Sequence, residues 1–257
     1  MTHHSDDCSV DTWRAASVPL LRRAVGEAAA AGLDVTLLRR GLAPAGGGEV
    51  LLRVPSLKGG LPVPLRWTQP GLVKRIRGVA FTERVSPQAA NRMVDAARGV
   101  LNPLLPDVYI FTDHRSGKAA GGSPGYGLSL VAETTTGCAL AADAVARHHG
   151  DGGGDGGGEP DTPDEVGARV AHALLAEIAA AGAVDGSHQA LALFLCAVGP
   201  DALSTVTLGR LAPAAVRLLR DLRDFLGVTF NLEPGGTGTV TAACVGLGVG
   251  NVARAVT

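Results

Sequence analysis

The chain has 257 residues, a formal net charge of −1, 46% apolar and 4% aromatic residues. That length permits one large core or two modest ones, built chiefly from Ala, Val and Leu. The near-zero charge excludes a globally basic polyanion binder, so any nucleic-acid surface has to be local.

Cys8, Cys138, Cys196 and Cys244 stand far apart and form no CxxC pair. This argues against a zinc site or a disulfide framework and for a reducing compartment. The longest apolar run, 190–198, is well short of the roughly 20 residues a membrane helix needs. The opening MTHHSDDCSV lacks the cationic-then-apolar order of a secretory signal.

Residues 10–32 read as helix: Val18, Leu21, Val25 and Ala28 fall at helical spacing, and Gly32 supplies a stop. Pro19 inside that pattern predicts a kink or two short helices. Segments 34–39 (DVTLLR) and 49–54 (EVLLRV) read as strands around the loop 41–48. Arg39, Arg40 and the run Gly46-Gly47-Gly48 suggest a phosphate cradle. The GK[ST] ending of a P-loop is absent, however, and no helix follows, which favours a flexible turn. Pro55, Pro62, Pro64 and Pro70 make 54–71 a crossing segment between domains.

The run Leu72-Val73-Lys74-Arg75-Ile76-Arg77-Gly78 reads as strand, with Lys74 and Ile76 on one side and Arg75 and Arg77 on the other. A solvated strand face and a phosphate-contacting patch both fit it. Ser86 as N-cap and Pro87 at the first helical position open a helix striped by Ala90, Val94, Ala97 and Leu101, and Pro103 ends it. Strands at 108–111 (VYIF) and 128–132 (LSLVA) flank a fourteen-residue loop, 114–127, with five glycines, Arg115 and Lys118. A loop that long inside a compact domain is usually functional or disordered, and this one reads as a contact surface rather than a catalytic pocket. Asp113 and His114 offer an acid–base pair, although sequence neighbours do not aim at a common point.

Beyond Arg147 comes HHGDGGGDGGGEP, a Gly/Asp stretch unable to bury apolar surface; His148, His149, Asp151 and Asp155 offer metal donors there without fixed geometry. Thr162-Pro163-Asp164-Glu165 is a capping box, followed by Val166, Val170, Leu174 and Ile178 and closed by Gly182. Segment 189–198 is apolar all round and reads as a buried helix. A strand (203–208), a helix (213–226) and strands at 228–232 and 239–245 complete a sheet covered on one face. His188, just before a buried helix, reads as structural, and His172, mid-helix, as a partly solvated helix residue. In 213–226 the apolar positions are Leu218, Leu219, Leu222, Phe225 and Leu226, while Arg217, Arg220 and Arg223 recur every third residue. Those arginines form either a solvated face partly neutralised by Asp221 and Asp224, or an RNA-phosphate stripe.

VSPQAANRMVDAARG and SPGYGLSLVAET, with RRGLAPAGGGEV upstream and VDGSHQALALFLCAVG and LLRDLRDFLGVTF downstream, resemble the RNA 3′-terminal phosphate cyclase superfamily. Within it they resemble the cyclase-like branch, a group of nucleolar ribosome-assembly factors. The resemblance implies an α/β (α+β) fold of βαβαββ repeats with an inserted smaller α/β domain. The implied division is 1–64, the C-terminal part of one repeat; 65–149, the insert domain; 150–160, a Gly/Asp-rich flexible loop; and 161–257, the last repeat. It also implies that Met1 enters midway through a repeat. True cyclases carry a histidine that becomes adenylylated, in a motif of the type His-x-x-Thr-Asn-Ile. Ala214 takes that histidine's place here and Arg217-Leu218 that of Thr-Asn, and alanine supplies no nitrogen nucleophile. The expected protein is therefore a non-catalytic ribosome biogenesis factor of the nucleus and nucleolus. It would act in pre-rRNA processing (18S rRNA maturation, small-subunit assembly) with no cofactor and no metal. Its implied partners are a ribosome-assembly GTPase, pre-ribosomal RNA and small-subunit precursor proteins, with no membrane. Lys74, Arg75, Arg77, Arg115, Lys118, Arg217, Arg220 and Arg223 are the candidate RNA contacts. The alternative is an RNA-acting enzyme, either a pre-rRNA endonuclease or a residual cyclase.

Overall fold

The N-terminal helical segment is split as Pro19 requires. In the computed structural model of the protein, which describes residues 1–3, 8–56, 59–147 and 161–250, α1 (Val10–Thr12) passes through a wider π-type turn (Trp13–Ser17) into α2 (Val18–Val25). Pro19 follows directly on the π-type turn, in which the Val18 amide reaches back to the Trp13 carbonyl, and the wider turn accommodates a residue with no amide to donate. The helix closes at Gly26 rather than Gly32, because Gly26 takes a φ of 84° that a side chain would resist. β1 (Asp34–Arg39) and β2 (Glu49–Arg53) form as the two segments around the loop 41–48 predict, and they pair antiparallel. The crossing segment contributes β3 (Arg66–Trp67), which runs parallel to a C-terminal strand. Residues 66–67 thus lie with the C-terminal unit and not with the insert assigned to 65–149.

The middle unit consists of β4 (Val73–Glu83), α3 (Gln88–Leu101), β5 (Val108–Arg115), β6 (Gly125–Thr134) and β7 (Ala139–Val145). Its sheet order is β5-β4-β6-β7; β4 and β5 are parallel through α3, and the remaining pairs are antiparallel. α3 buries Ala90, Val94, Ala97 and Leu101 as the spacing predicts, with Met93 beside them. It starts after Pro87, and the Ser86 hydroxyl accepts the Gln88 amide at 3.3 Å. Both strands flanking the glycine-rich loop are longer than expected. The ladder with β4 continues to Glu83, paired with Arg115 on one side and Gly125 on the other, so only 116–124 connect the strands.

The division at 149/161 is overturned. α4 (Pro163–Ala179), expected to open the last repeat, packs on this middle sheet, where Val166, Val170 and Leu174 share a core with Ile76, Met93, Leu130 and Leu140. Gly167 lets α4 approach α3 closely, since an added Cβ there would lie 2.4 Å from the Met93 carbonyl oxygen. The segment 150–160, with His148 and His149 just ahead of it, lies outside the described residues.

The C-terminal unit comprises α5 (Gln189–Val198), β8 (Leu203–Leu208), α6 (Pro213–Leu226), β9 (Asn231–Pro234) and β10 (Val240–Val245), with sheet order β3-β8-β10-β9. α5 and α6 cover one face, burying Val206, Leu208 and Ala242 with Leu193 and Leu222. Leu20 and Ala24 of α2 enter the same core, so the two ends of the chain fold together. Along α6, Ala215, Leu218, Leu219 and Leu222 pack inward. The expected continuation of that stripe overhangs: Phe225 is 84% exposed and Leu226 is also exposed.

Two neighbouring residues start α4 and set its response to acid. The Thr162 hydroxyl accepts the Glu165 amide, while the Glu165 carboxylate accepts the Thr162 amide at 2.7 Å. Asp161 accepts from Arg147 (3.1 Å) and Arg169 (2.8 Å). Burial pushes the Asp161 carboxyl up, but the hydrogen bonds from those arginines outweigh it and hold it at about 2. Thr162→Ala is expected to lower stability by about 1 kcal/mol in urea unfolding. Asp161 ionises lower in the folded state than in the unfolded chain, where a value of about 3.9 applies. Its contribution is therefore complete above about pH 4 and lost as pH falls toward 2. Asp161→Asn should be less stable at neutral pH, with the gap to the unmodified chain closing through that window.

Candidate nucleic-acid interface

β6 and β7 present small side chains on the sheet face opposite α3 and α4, and the N-terminal segment docks there. Ala16 packs on Val131 and Ala141, Thr12 Oγ1 lies 2.9 Å from Ser129 Oγ, and the Ser9 amide donates to Asp143 at 2.8 Å. Arg40 closes one end of this seam. Only 1% exposed, it donates through Nε to Asp113 at 3.0 Å and through Nη1 to Asp11, and its guanidinium lies 4.4 Å from the Phe81 ring centre. Burial pushes the Asp11 carboxyl up, but His3 and Arg40 overcome this and keep it well below the usual carboxylate range. Burial also pushes the His3 imidazole down, despite its 3.1 Å contact with Asp11.

A second buried cluster joins all parts of the chain. Asp185 accepts the Ala141 amide of β7 at 3.0 Å and lies 2.9 Å from His188 Nδ1, and His188 Nε2 is 2.7 Å from Ser17 Oγ. The serine–histidine–aspartate order matches a nucleophilic triad. All three side chains are buried, so no substrate carbonyl reaches Ser17, and the cluster acts as a tie. His172 instead sits on the surface of α4, its Nδ1 2.8 Å from the Ala168 carbonyl.

The loop 116–124, read as a contact surface, is largely a seam. The Gly122 amide donates to the Gly46 carbonyl at 3.1 Å and the Ala45 amide to Ser123 Oγ at 2.8 Å. A Cβ on Gly121 would sit 2.4 Å from the Arg40 carbonyl oxygen, so only glycine allows this approach. The loop 41–48 packs against it and Arg40 points inward, leaving no phosphate cradle. Asp113 serves Arg40, whereas His114 Nδ1 lies 2.9 Å from Thr82 Oγ1, so these neighbours do not converge.

The eight candidate cations do not form one surface. A register irregularity between Val73 and Arg75 brings Lys74 and Arg75, expected on opposite faces, to the same Glu133 carboxylate at 3.7 and 2.7 Å. Arg77 is held by Asp107 through two bonds of 2.8 and 3.1 Å. Arg115 turns to Asp113 (3.3 Å) and the Leu38 carbonyl (3.0 Å), while Lys118 stays exposed. Arg217, Arg220 and Arg223 all lie on the outer side of α6. Arg223 pairs with Asp224 at 2.8 Å, and among the described residues no ion pair engages Arg217 or Arg220. Ala214 occupies the exposed first turn of the same helix.

Sequence reasoning missed a groove of about 560 Å³ between α2, β1 and the part of the middle sheet that the N-terminal segment leaves open. Val79, Phe111 and Val131 line it, with Arg14, Arg22 and Arg77 beside them. Arg14 and Arg22 carry no local signal, because only docking of the helix brings them to β4 and β5. Among the described residues no group of three or more His, Cys, Asp or Glu side chains is placed to hold a metal ion, and no helix is long and apolar enough to cross a membrane.

Residues 68–179 match the family model of the RNA 3′-terminal phosphate cyclase (RTC) insert domain. This span takes in β4 through α4, the middle unit as the structure builds it. The chain is 44% identical over 262 residues to the probable RNA 3′-terminal phosphate cyclase-like protein of Arabidopsis thaliana, covering 99% of this chain and 68% of that one. To the RNA 3′-terminal phosphate cyclase-like protein of Homo sapiens it is 41% identical over 263 residues, covering 99% and 67%. To the rRNA processing protein rcl1 of Schizosaccharomyces pombe it is 39% identical over 258 residues, again covering 99% and 67%. The chain belongs to the RNA 3′-terminal phosphate cyclase-like family.

Arg40 provides the sharpest test of the seam. Arg40→Ala leaves Asp11 uncompensated in a buried site, and such a loss costs about 3–5 kcal/mol. Arg217→Ala, at an exposed position, should stay within about 0.5 kcal/mol of the unmodified chain. Parallel urea titrations separate the two, and equal midpoints would show that the Arg40 network holds nothing together.

Proposed function

We propose that this protein is a ribosome biogenesis factor acting in pre-rRNA processing, within 18S rRNA maturation and small-subunit assembly, and that it performs no cyclase chemistry. The observation that carries the reading is near-complete alignment of the chain with a relative named as an rRNA processing protein. Ala214 adds to it, since the family resemblance sets this alanine where true cyclases hold their nucleophilic histidine. Adenylylation forms a covalent bond to a side-chain nitrogen, and a methyl group has none. The exposed Arg217, Arg220 and Arg223 fit a role in which α6 holds RNA phosphates, because a guanidinium meets phosphate oxygens through paired donors. A ribosome-assembly GTPase is the proposed protein partner, and the nucleolus the proposed location, both taken from the family resemblance.

Depleting the protein in its own cells should accumulate unprocessed small-subunit rRNA precursor while large-subunit rRNA matures normally. Unchanged precursor levels would refute the reading. Incubation with RNA and labelled ATP should leave no AMP adduct that survives denaturation. In RNA binding, replacing Arg217, Arg220 and Arg223 together with alanine should flatten the slope of log affinity against log salt by roughly two units, at about 0.7 per phosphate contact on a single strand.

A further inference from the structure

The helix-free face of the middle sheet is only half covered. The N-terminal segment lies over β6 and β7, where Ser129, Val131 and Ala141 are small enough to admit it. The same face continues onto β4 and β5, where the register sets Arg77 beside Tyr109 and Val79 beside Phe111. There Tyr109 and Phe111 stand 50% and 56% exposed, edge to face with ring centres 4.5 Å apart. An exposed aromatic pair on an edge strand marks a surface that meets something.

The charge beside these rings indicates what. Arg14, Arg22 and Arg77 line the groove, with Asp11 and Asp34 as its acids. Asp11 gives its Oδ2 to the buried Arg40 and leaves Oδ1 without a hydrogen bond, and Asp34 accepts from Thr36 at 2.6 Å with Arg53 3.7 Å away. Arg77 is already paired with Asp107, while Arg14 and Arg22 keep donors to spare. Arg14 is half exposed and 3.7 Å from Asp11, beyond hydrogen-bond range, and Arg22 spends a single bond on the Leu33 carbonyl at 2.9 Å. An aromatic ring in a groove edged by guanidinium groups matches an unpaired nucleotide strand, whose bases stack while its phosphates meet the arginines. A base inside a duplex cannot expose its face to Phe111.

We propose that this groove is a single-stranded RNA site, in which Phe111 stacks a base and Arg14, Arg22 and Arg77 contact the backbone. The proposal rests on the reading that the protein works on RNA. Its test uses the full chain and a fluorescein-labelled single-stranded 12-mer RNA, titrated between 50 and 200 mM salt. Loss of a stacked base should weaken binding roughly 5- to 150-fold in Phe111→Ala with the salt slope intact, while Phe111→Trp retains affinity. Arg14→Gln with Arg22→Gln should instead flatten the slope by about 1.4. A 4-thiouridine in the 12-mer should crosslink to the peptide containing Phe111. Thermal melts check each variant, and Phe111→Leu replaces Phe111→Ala if the latter unfolds, since it keeps the apolar bulk without the ring. If the unmodified chain binds RNA but none of these substitutions alters affinity or slope, the groove is not the site while the RNA reading stands. If the unmodified chain fails to bind the RNA, the reading falls and the site with it. Stronger binding of an acidic peptide than of the 12-mer, with RNA unable to displace it, would reassign the groove to a protein partner.

Discussion

A guanidinium sealed between two parts of the chain organises this molecule. Arg40 is buried with Asp11 on one side and Asp113 on the other, and its plane lies over Phe81. A buried charge is tolerated only when its donors are met, so the N-terminal segment and the middle sheet have to come together in one register. The consequences spread outward. The carbonyl of Arg40 sets how closely Gly121 approaches, and the Gly122 and Ser123 bonds then join the loops 116–124 and 41–48. The Ser17–His188–Asp185 tie performs the same service toward the C-terminal unit.

This docking is also what creates the groove. A helix packs on a sheet only where the facing side chains leave room, and Ser129, Val131 and Ala141 leave it while Tyr109 and Phe111 do not. Coverage therefore stops along β4. The remaining strip carries aromatic rings, and arginines arrive from the helix that stopped short of it. Arg77 belongs to both readings of its strand, being solvated and ion-paired with Asp107 while lining the groove. The arginines of α6 lie on a different helix of the C-terminal unit and answer to a separate set of local charges.

Within its family, the chain couples a cyclase insert domain to a segment that has alanine where the resemblance sets the adenylylated histidine. The insert keeps a tightly packed core of its own, with Gly167 allowing α3 and α4 to touch. The packing of α3 and α4 on the middle sheet is non-covalent and involves neither Ala214 nor any other residue of α6.

Much of the local architecture was legible from the residues alone. Capping chemistry marked the start of α4 at Thr162 and Glu165, periodicity marked α3, an all-round apolar run marked α5, and short runs between turn residues marked β1, β2 and β8. These are short-range effects, decided by steric and hydrogen-bonding preferences within a few residues. What covers an apolar stripe is a long-range matter. The spacing of Val166, Val170 and Leu174 is equally consistent with either sheet, and only packing against Met93 and Leu130 assigned α4 to the middle unit. The same holds for charge: Arg40 in a glycine-rich stretch looked available to a ligand, and nothing local singled out Arg14 and Arg22. Burial against Asp11 and Asp113 withdrew the first, and docking beside Phe111 gave the other two a shared groove. The sequence by itself determined which residues lie on one face of each element. The tertiary structure decided which faces meet, because that depends on contacts between residues far apart along the chain, and no local period encodes them.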